Sequence, residues 1–242
     1  MSDLSGSFAD KTFEDRRRQQ PTSRDIMLSI AEYYSVMIVG ILVAYGVMAG
    51  VAVVSASNGW VPTSTLGVIA LLVGVFACMF GGGVIVLNTG WLPSVLAYLG
   101  LIAAPFGVLA GMIASEIGMQ DLLPAVVILA ALTVILGTIG LRIRTDLSCS
   151  GFAKAINVLL WVFVILSFVT IQAQIHSDTF YIVITGVGIL LFSCVTVLDF
   201  NRAKFMPKTL DNAVDSSMLI YLSNLNLLLR IWGLLSKLRG NN

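Results

Sequence analysis

The sequence predicts an all-α integral membrane protein, with seven transmembrane helices in one bundle and the last helix at its centre. Three observations support this: the composition, seven apolar stretches, and a polar face on the last of them. The 242 residues are 57% hydrophobic and 11% charged, with a mean hydropathy of +0.95. This is too apolar for a soluble domain of this size. Because a membrane-spanning helix needs about 20 mostly apolar residues, the length accommodates six to eight.

The seven apolar stretches are bounded by polar breaks or by breaks that contain glycine or proline. We expect each to be a helix, because lipid offers the backbone no other hydrogen-bond partner. The predicted spans are residues 34–55, 66–87, 91–113, 122–141, 152–174, 179–198 and 213–235.

The flanking segments complete the predicted organisation: a polar N-terminal tail (1–33), the transmembrane domain (34–236) and a short polar C-terminal tail (237–242). Lysine and arginine concentrate in the N-terminal tail and around the fourth and sixth connections, and are missing from the first, third and fifth. This bias indicates a cytoplasmic N-terminus. The apolar length of the last segment favours a full crossing of the membrane. Lys237 and Arg239 would then lie on the outer side, against this bias.

Several function classes are disfavoured. A net charge of +1 gives no reason to expect nucleic acid. The three cysteines, Cys78, Cys149 and Cys194, are scattered, so we expect neither a disulfide framework nor a zinc site, and no cofactor is predicted. Motifs of zinc proteases, serine hydrolases and phosphate loops are missing from the sequence. Asp199 also lacks the Gly-x-Gly-Asp setting of intramembrane aspartyl proteases. We therefore do not expect an enzyme.

The last apolar stretch is unusual because it carries polar side chains throughout. On a helix they fall within an arc of about 100°. A charge near the bilayer centre costs ~3 kcal/mol or more, so this face must turn toward other helices, a partner charge or water. The arc comprises Asp215, Ser216, Ser223, Asn226 and Arg230.

Some of these residues have two interpretations. Asp199, which ends the sixth stretch, is either an ion ligand or a solvated interfacial charge beside Arg202 and Lys204. Serine and asparagine in membrane helices are more often interhelical hydrogen-bonding groups than transport ligands. For Arg230 we expect an extended side chain that reaches the far interface.

Two glycine pairs have a four-residue spacing that allows close helix packing: Gly46 with Gly50, and Gly107 with Gly111. We assign both pairs to packing. Pro105 is expected to kink the third helix.

Three short motifs carry a family resemblance. They are Leu-Gly-Thr-Ile-Gly at 136–140 followed by Arg-Ile-Arg-Thr-Asp-Leu-Ser at 142–148, then Val-Leu-Asp-Phe-Asn at 197–201, and Ile-Tyr-Leu-Ser-Asn-Leu-Asn-Leu at 220–227. Together they resemble the Bax inhibitor-1 family of seven-span membrane proteins, which includes the YccA-like bacterial proteins. The resemblance covers most of the chain from about residue 34.

The resemblance implies a seventh helix wrapped by the other six. It also implies a pH-sensitive calcium gate, in which the leak-type members pair an acidic residue at the end of the sixth helix with another in the seventh. Asp199 matches the first position, but Ser223 occupies the second. The second-span arginine of leak-type members is missing as well, since residues 66–87 contain no basic residue. Serine at this position is similar to the YccA-like subgroup, which is associated with the membrane protease FtsH.

We therefore expect a pH-sensitive cation leak, with Ca²⁺ or H⁺ as the permeant ion and the lipid bilayer as the environment. The alternative is a non-transporting protein that modulates a membrane protease. The predicted ion or proton path consists of Asp199, Asp215, Ser223, Asn226 and Asp211. Two carboxylates within about 4 to 6 Å would share a proton. Because Ser223 stands in place of the second carboxylate, the dependence of the gate on protonation should be weaker, unless Asp215 or Asp211 supplies the second negative charge.

Overall fold

The architecture is that of a computed structural model, which describes residues 26–58, 64–117, 122–148, 150–172 and 178–240. The first 25 residues of the predicted N-terminal tail lie outside the described residues, as does Cys149. Every regular element of the described residues is helical. The predicted all-α class is thus confirmed.

The helices occupy the positions of the seven predicted stretches, and six of them extend beyond the predicted bounds. The fifth begins one residue before its predicted start, and residues 173–174 of its predicted range lie outside the described residues. The third is continuous but changes type, because a π-helical turn at Tyr98–Ala103 separates α3 from α4. The helices are α1 (Ile30–Ser57), α2 (Thr65–Asn88), α3 (Trp91–Ala97), α4 (Ala104–Ile117), α5 (Leu122–Arg142), α6 (Gly151–Gln172), α7 (Asp178–Phe205) and α8 (Leu210–Gly240).

Six of the described helices are long and apolar enough to cross a membrane. In α6, the apolar helical segment is shorter than these six and covers Gly151–Ser167. Helix α8 differs from the other candidate spans in burial. In its most apolar 18-residue window 56% of the residues are buried, against 11–39% in the other five. Lipid-facing residues are exposed in the protein alone, so α8 is the most enclosed of these six candidate spans.

Local sequence explains where the first helix begins and how the third bends. Ser29 and Glu32 form a reciprocal cap at the start of α1, with distances of 2.7 and 3.2 Å. The expected kink at Pro105 takes the form of the π-helical turn just before it, where the amide of Ala104 donates to the carbonyl of Leu99. Proline has no amide hydrogen, and a shifted hydrogen-bond register is one way a helix accommodates it.

The chain divides into two compact units. The first, here called the N-unit, contains the described residues up to 117 together with Pro207–Tyr221. The second, here called the C-unit, contains the described residues from 122 to Met206 and residues 222–240. Helix α8 therefore supplies its first turns to one unit and the remainder to the other.

In the N-unit, α1 packs closely on α4. A methyl group at Gly107 would lie 2.6 Å from the carbonyl oxygen of Met48, and one at Gly111 would lie 2.8 Å from that of Ala52. The packing prediction for this glycine pair is correct. For Gly46 and Gly50 it is wrong within the described residues, since no atom lies within 4 Å of a methyl group at either position.

In the C-unit, α5 packs on α7 through Gly137 and Gly140, which both face the Phe200 side chain. Asn201 then fastens the connection that follows α5. Its amide nitrogen donates to the carbonyls of Gly140 and Thr145 at 3.2 and 3.1 Å, and its amide oxygen accepts from the backbone of Leu147 at 2.8 Å. These contacts fix the end of α7, where Asp199 lies.

Candidate ion site

The central contact of the candidate site joins α7 to α8 within the C-unit. Asp199 lies two turns before the end of α7 and is 5% exposed, and Ser223 on α8 is also 5% exposed. The Ser223 hydroxyl donates a hydrogen bond to the Asp199 carboxylate at Oδ2. The two residues that the sequence placed at the gate positions are therefore in direct contact.

The burial of Asp199 argues against the solvated interfacial interpretation. A solvated interfacial carboxylate would be exposed, whereas Asp199 is buried. Buried carboxylates are retained only when hydrogen bonds or charges compensate their lost hydration. Ser223 supplies one such hydrogen bond. Asp199 is thus an interior polar group of the bundle.

Asn226, also predicted for the path, is not part of this contact. Its side-chain amide is half-buried and donates to the carbonyl of Leu222 on its own helix at 2.9 Å. This local bond satisfies the amide group without a partner from another helix. Asn226 therefore contributes to the polar face without contacting Asp199.

The other two predicted residues belong to the N-unit. Asp211 is half-buried in the first turn of α8, where the helix dipole favours a carboxylate. Asp215 is fully buried one turn later. Next to it, the hydroxyls of Ser216 and Tyr33 share a hydrogen bond of 2.8 Å, and Tyr33 also donates to the carbonyl of Asn212 at 3.3 Å.

A short backbone pairing holds the start of α8 in the N-unit. Met27 and Thr209 form an antiparallel bridge, with the amide of Leu28 donating to Lys208 at 2.8 Å and the amide of Leu210 donating to Ile26 at 3.0 Å. We call residues 26–28 the strap. It joins the segment before α1 to the connection before α8.

Lys208 lies in this connection, outside the membrane-spanning segments. Its ammonium nitrogen is 4.4 Å from the centre of the Tyr33 ring and 5.6 Å from that of Tyr34. Partial burial lowers the pKa of Lys208 to about 8, because loss of hydration disfavours the charged form. Stacking on the two rings keeps a favourable contact for the ammonium.

Three residues of these sites were not singled out by sequence reasoning: Tyr33, Asn201 and Asn224. Tyr33 is fully buried, with its hydroxyl against Asn212 and Ser216 of α8. Asn201 was noted only as part of a motif. Asn224 is 2% exposed, but it follows Ser223 by one residue and so lies about 100° away from the polar arc. A polar residue inside an otherwise apolar stretch was the available signal.

The described residues hold no cluster of three or more histidine, cysteine or acidic side chains that could bind a metal ion. Calcium takes six to eight oxygen ligands in a stable protein site. The single carboxylate and hydroxyl at Asp199 and Ser223 fall short of that number. The arrangement suits transient attraction of a cation better than its retention.

Comparison with known proteins decides the family. A family model described as "Inhibitor of apoptosis-promoting Bax1" matches residues 27–240, which is most of the chain. The protein belongs to the Bax inhibitor-1 family. Among curated proteins no match was found.

As a Bax inhibitor-1 family protein, the chain has a specific departure at its site. The resemblance led us to expect two facing carboxylates in leak-type members. Here the residue at the second position is Ser223, and its hydroxyl contacts Asp199. In this family member, the contact between Asp199 and Ser223 therefore contains one carboxylate and one hydroxyl.

Proposed function

We propose that this Bax inhibitor-1 family protein is a slow, pH-sensitive cation leak that passes Ca²⁺. The observation that carries the proposal is the buried Asp199 carboxylate, which accepts a hydrogen bond from Ser223 inside an apolar helix bundle. Ionisable groups inside membrane segments are costly, so they commonly mark ion or proton pathways. The ionised carboxylate attracts a cation, and protonation removes that attraction.

The polar face of α8 supplies the remainder of the proposed path. Within the C-unit, Ser223 and Asn226 lie on neighbouring turns of α8. Asp211 and Asp215 belong to the N-unit and stay sequence-based predictions for the path. Oxygen ligands of this kind suit calcium. Few of these oxygen ligands lie at the same depth along the path, so an ion would be bound weakly at each depth. Weak binding favours ion passage over ion retention.

We also propose a bacterial inner membrane location with a cytoplasmic N-terminus. Lys204 on α7 donates to the carbonyl of Ile143 at 2.9 Å, so the basic ends of α5 and α7 lie on one side of the C-unit. Arg142 and Arg144 belong to the same side. Basic residues accumulate on the cytoplasmic side of membrane proteins. Labelling of an Arg144→Cys variant by an impermeant maleimide in intact cells would contradict this orientation.

The test of the leak is Ca²⁺ flux through purified protein in liposomes at two pH values. Asp199→Asn keeps a hydrogen-bond acceptor for Ser223 but removes the charge. We expect it to lower flux by about tenfold, the effect of losing ~1.4 kcal/mol of attraction. It should also abolish the dependence on pH, which in the wild type lowers flux as pH falls.

Ser193→Ala is the matched control. Ser193 lies on the same helix, and its hydroxyl bonds only to the carbonyl of Ile189 within that helix, at 2.7 Å. Its flux should equal that of the wild type. Equal flux from Asp199→Asn and the wild type at both pH values would refute the proposed role of Asp199.

The second candidate function is modulation of a membrane protease without transport. The contact between Asp199 and Ser223 favours this candidate, because it contains one carboxylate. A single carboxylate cannot share a proton with a second one, as a pair can. Its test is co-purification with membrane proteases from the native membrane, with and without the N-terminal tail. If the tail is the contact, its removal should abolish binding. Unchanged binding and unchanged protease activity would count against this candidate.

A further inference from the structure

Arg230 is a charged residue on the polar face of α8 that the proposed leak does not use. Its guanidinium carbon lies 4.8 Å from the centre of the Phe163 ring on α6, and Phe163 is 4% exposed. On α7, a methyl group at Gly188 would lie 3.4 Å from Cδ and Nε of Arg230. All three residues belong to the C-unit. The side chain is therefore packed between helices, with its charge over an aromatic ring.

Arg230 is in line with the Asp199 contact. It follows Ser223 by seven residues, which places it within about 20° of the same face of α8 and about 10 Å farther along. On α7, Gly188 precedes Asp199 by eleven residues, which is again within about 20° of one face. Since Ser223 contacts Asp199 and Arg230 contacts Gly188, both contacts lie along one seam between α7 and α8.

The charge of Arg230 persists at every accessible pH, because guanidinium does not deprotonate in proteins. Among the side chains that the structure describes, no carboxylate forms an ion pair with it, and its charged group rests on the Phe163 ring. An aromatic face stabilises a cation but leaves its net charge in place. The seam thus carries the Asp199 carboxylate at one level and, at the next, the Arg230 guanidinium, which has no ion pair among the described side chains.

We propose that Arg230 is the electrostatic barrier that keeps cation flux along this seam slow. The inference rests on the proposed leak function. A fixed positive charge repels any cation that leaves the level of Asp199 toward Arg230. At about 10 Å and an effective dielectric constant of about 20, this repulsion slows a monovalent cation about tenfold. A divalent cation is repelled twice as strongly, so its flux falls by a larger factor.

The experiment compares K⁺ and Ca²⁺ flux through the wild type, Arg230→Gln and Arg230→Lys in liposomes. The neutral variant should raise K⁺ flux by about tenfold and Ca²⁺ flux by more, whereas Arg230→Lys, which keeps the charge, should stay near the wild type. Arg230→Met is a second neutral variant that should behave like Arg230→Gln. Helix content and a monodisperse elution profile verify folding of each variant.

The outcomes separate this inference from the leak itself. Wild-type flux that depends on Asp199 but is unchanged in both neutral variants overturns the barrier and leaves the leak intact. A silent wild type with conducting neutral variants supports the barrier and contradicts an open leak. An equal increase for K⁺ and Ca²⁺ also overturns the inference, because a charge barrier must act more strongly on the divalent ion.

Discussion

At the scale of single residues, the identity of residue 223 sets how the site responds to protons. Ser223 donates to the buried carboxylate of Asp199, so the contact contains one ionisable group. A second carboxylate there would raise one of the two protonation constants, because two like charges a few ångströms apart resist joint ionisation. In the proposed leak, the serine would therefore couple conduction to pH more weakly than a second carboxylate would.

Ser223→Asp should make the protein more sensitive to pH. We expect Ca²⁺ flux in liposomes to change at least several-fold more steeply between pH 6 and pH 8 than in the wild type, because the two carboxylates share a proton. The measurement is the flux ratio at those two pH values. Ser193→Asp, on the same unit but away from Asp199, is the control. The same pH profile for Ser223→Asp and the wild type would show that residue 223 does not govern the response.

At the scale of elements, the strap, Lys208 and Tyr33 connect the beginning of α1 to the beginning of α8. The backbone pairing of Met27 with Thr209 lies just before α8. The hydrogen bond between Tyr33 and Ser216 lies about two turns farther along the chain, within α8. Nothing in the local pattern of residues 26–33 predicted these contacts, because they join parts of the chain about 180 residues apart. The sequence predicted the two helices but not their mutual attachment.

Lys208 gives this attachment a measurable pH dependence. Its pKa of about 8 lies below the ordinary value of 10.5, so the unfolded chain binds more protons between these two values. This residue's contribution to stability should therefore rise as pH increases from about 8 to about 10.5, and the unfavourable contribution of the buried charge is fully present below pH 8.

The direct measurement is the ¹³C signal of reductively methylated Lys208, assigned by comparison with Lys208→Arg. Its midpoint should lie near pH 8. A midpoint above pH 10 for Lys208 would contradict its burial against Tyr33 and Tyr34.

At the scale of the whole molecule, the sequence predicted the helices well, because seven apolar stretches leave few alternatives in a bilayer. It also predicted that α8 is enclosed by protein, since Asp215 and Ser223 would be costly against lipid; both are buried, and α8 is the most buried of the six candidate spans. The sequence could not predict which residues of different helices pack against each other. Whether Gly46 or Gly107 faces another helix, and which ring receives Arg230, depend on neighbours that are distant in the chain.

The central claim is that Asp199 of α7 faces Ser223 of α8 inside the protein. The most direct measurement is disulfide formation between Asp199→Cys and Ser223→Cys, with Cys78, Cys149 and Cys194 replaced by alanine. Met27→Cys with Thr209→Cys is the positive control, because directly opposed residues without mutual hydrogen bonds lie about 4.5 Å apart. Our account predicts efficient cross-linking of both pairs. Free thiols at 199 and 223, with the control pair oxidised, would contradict it.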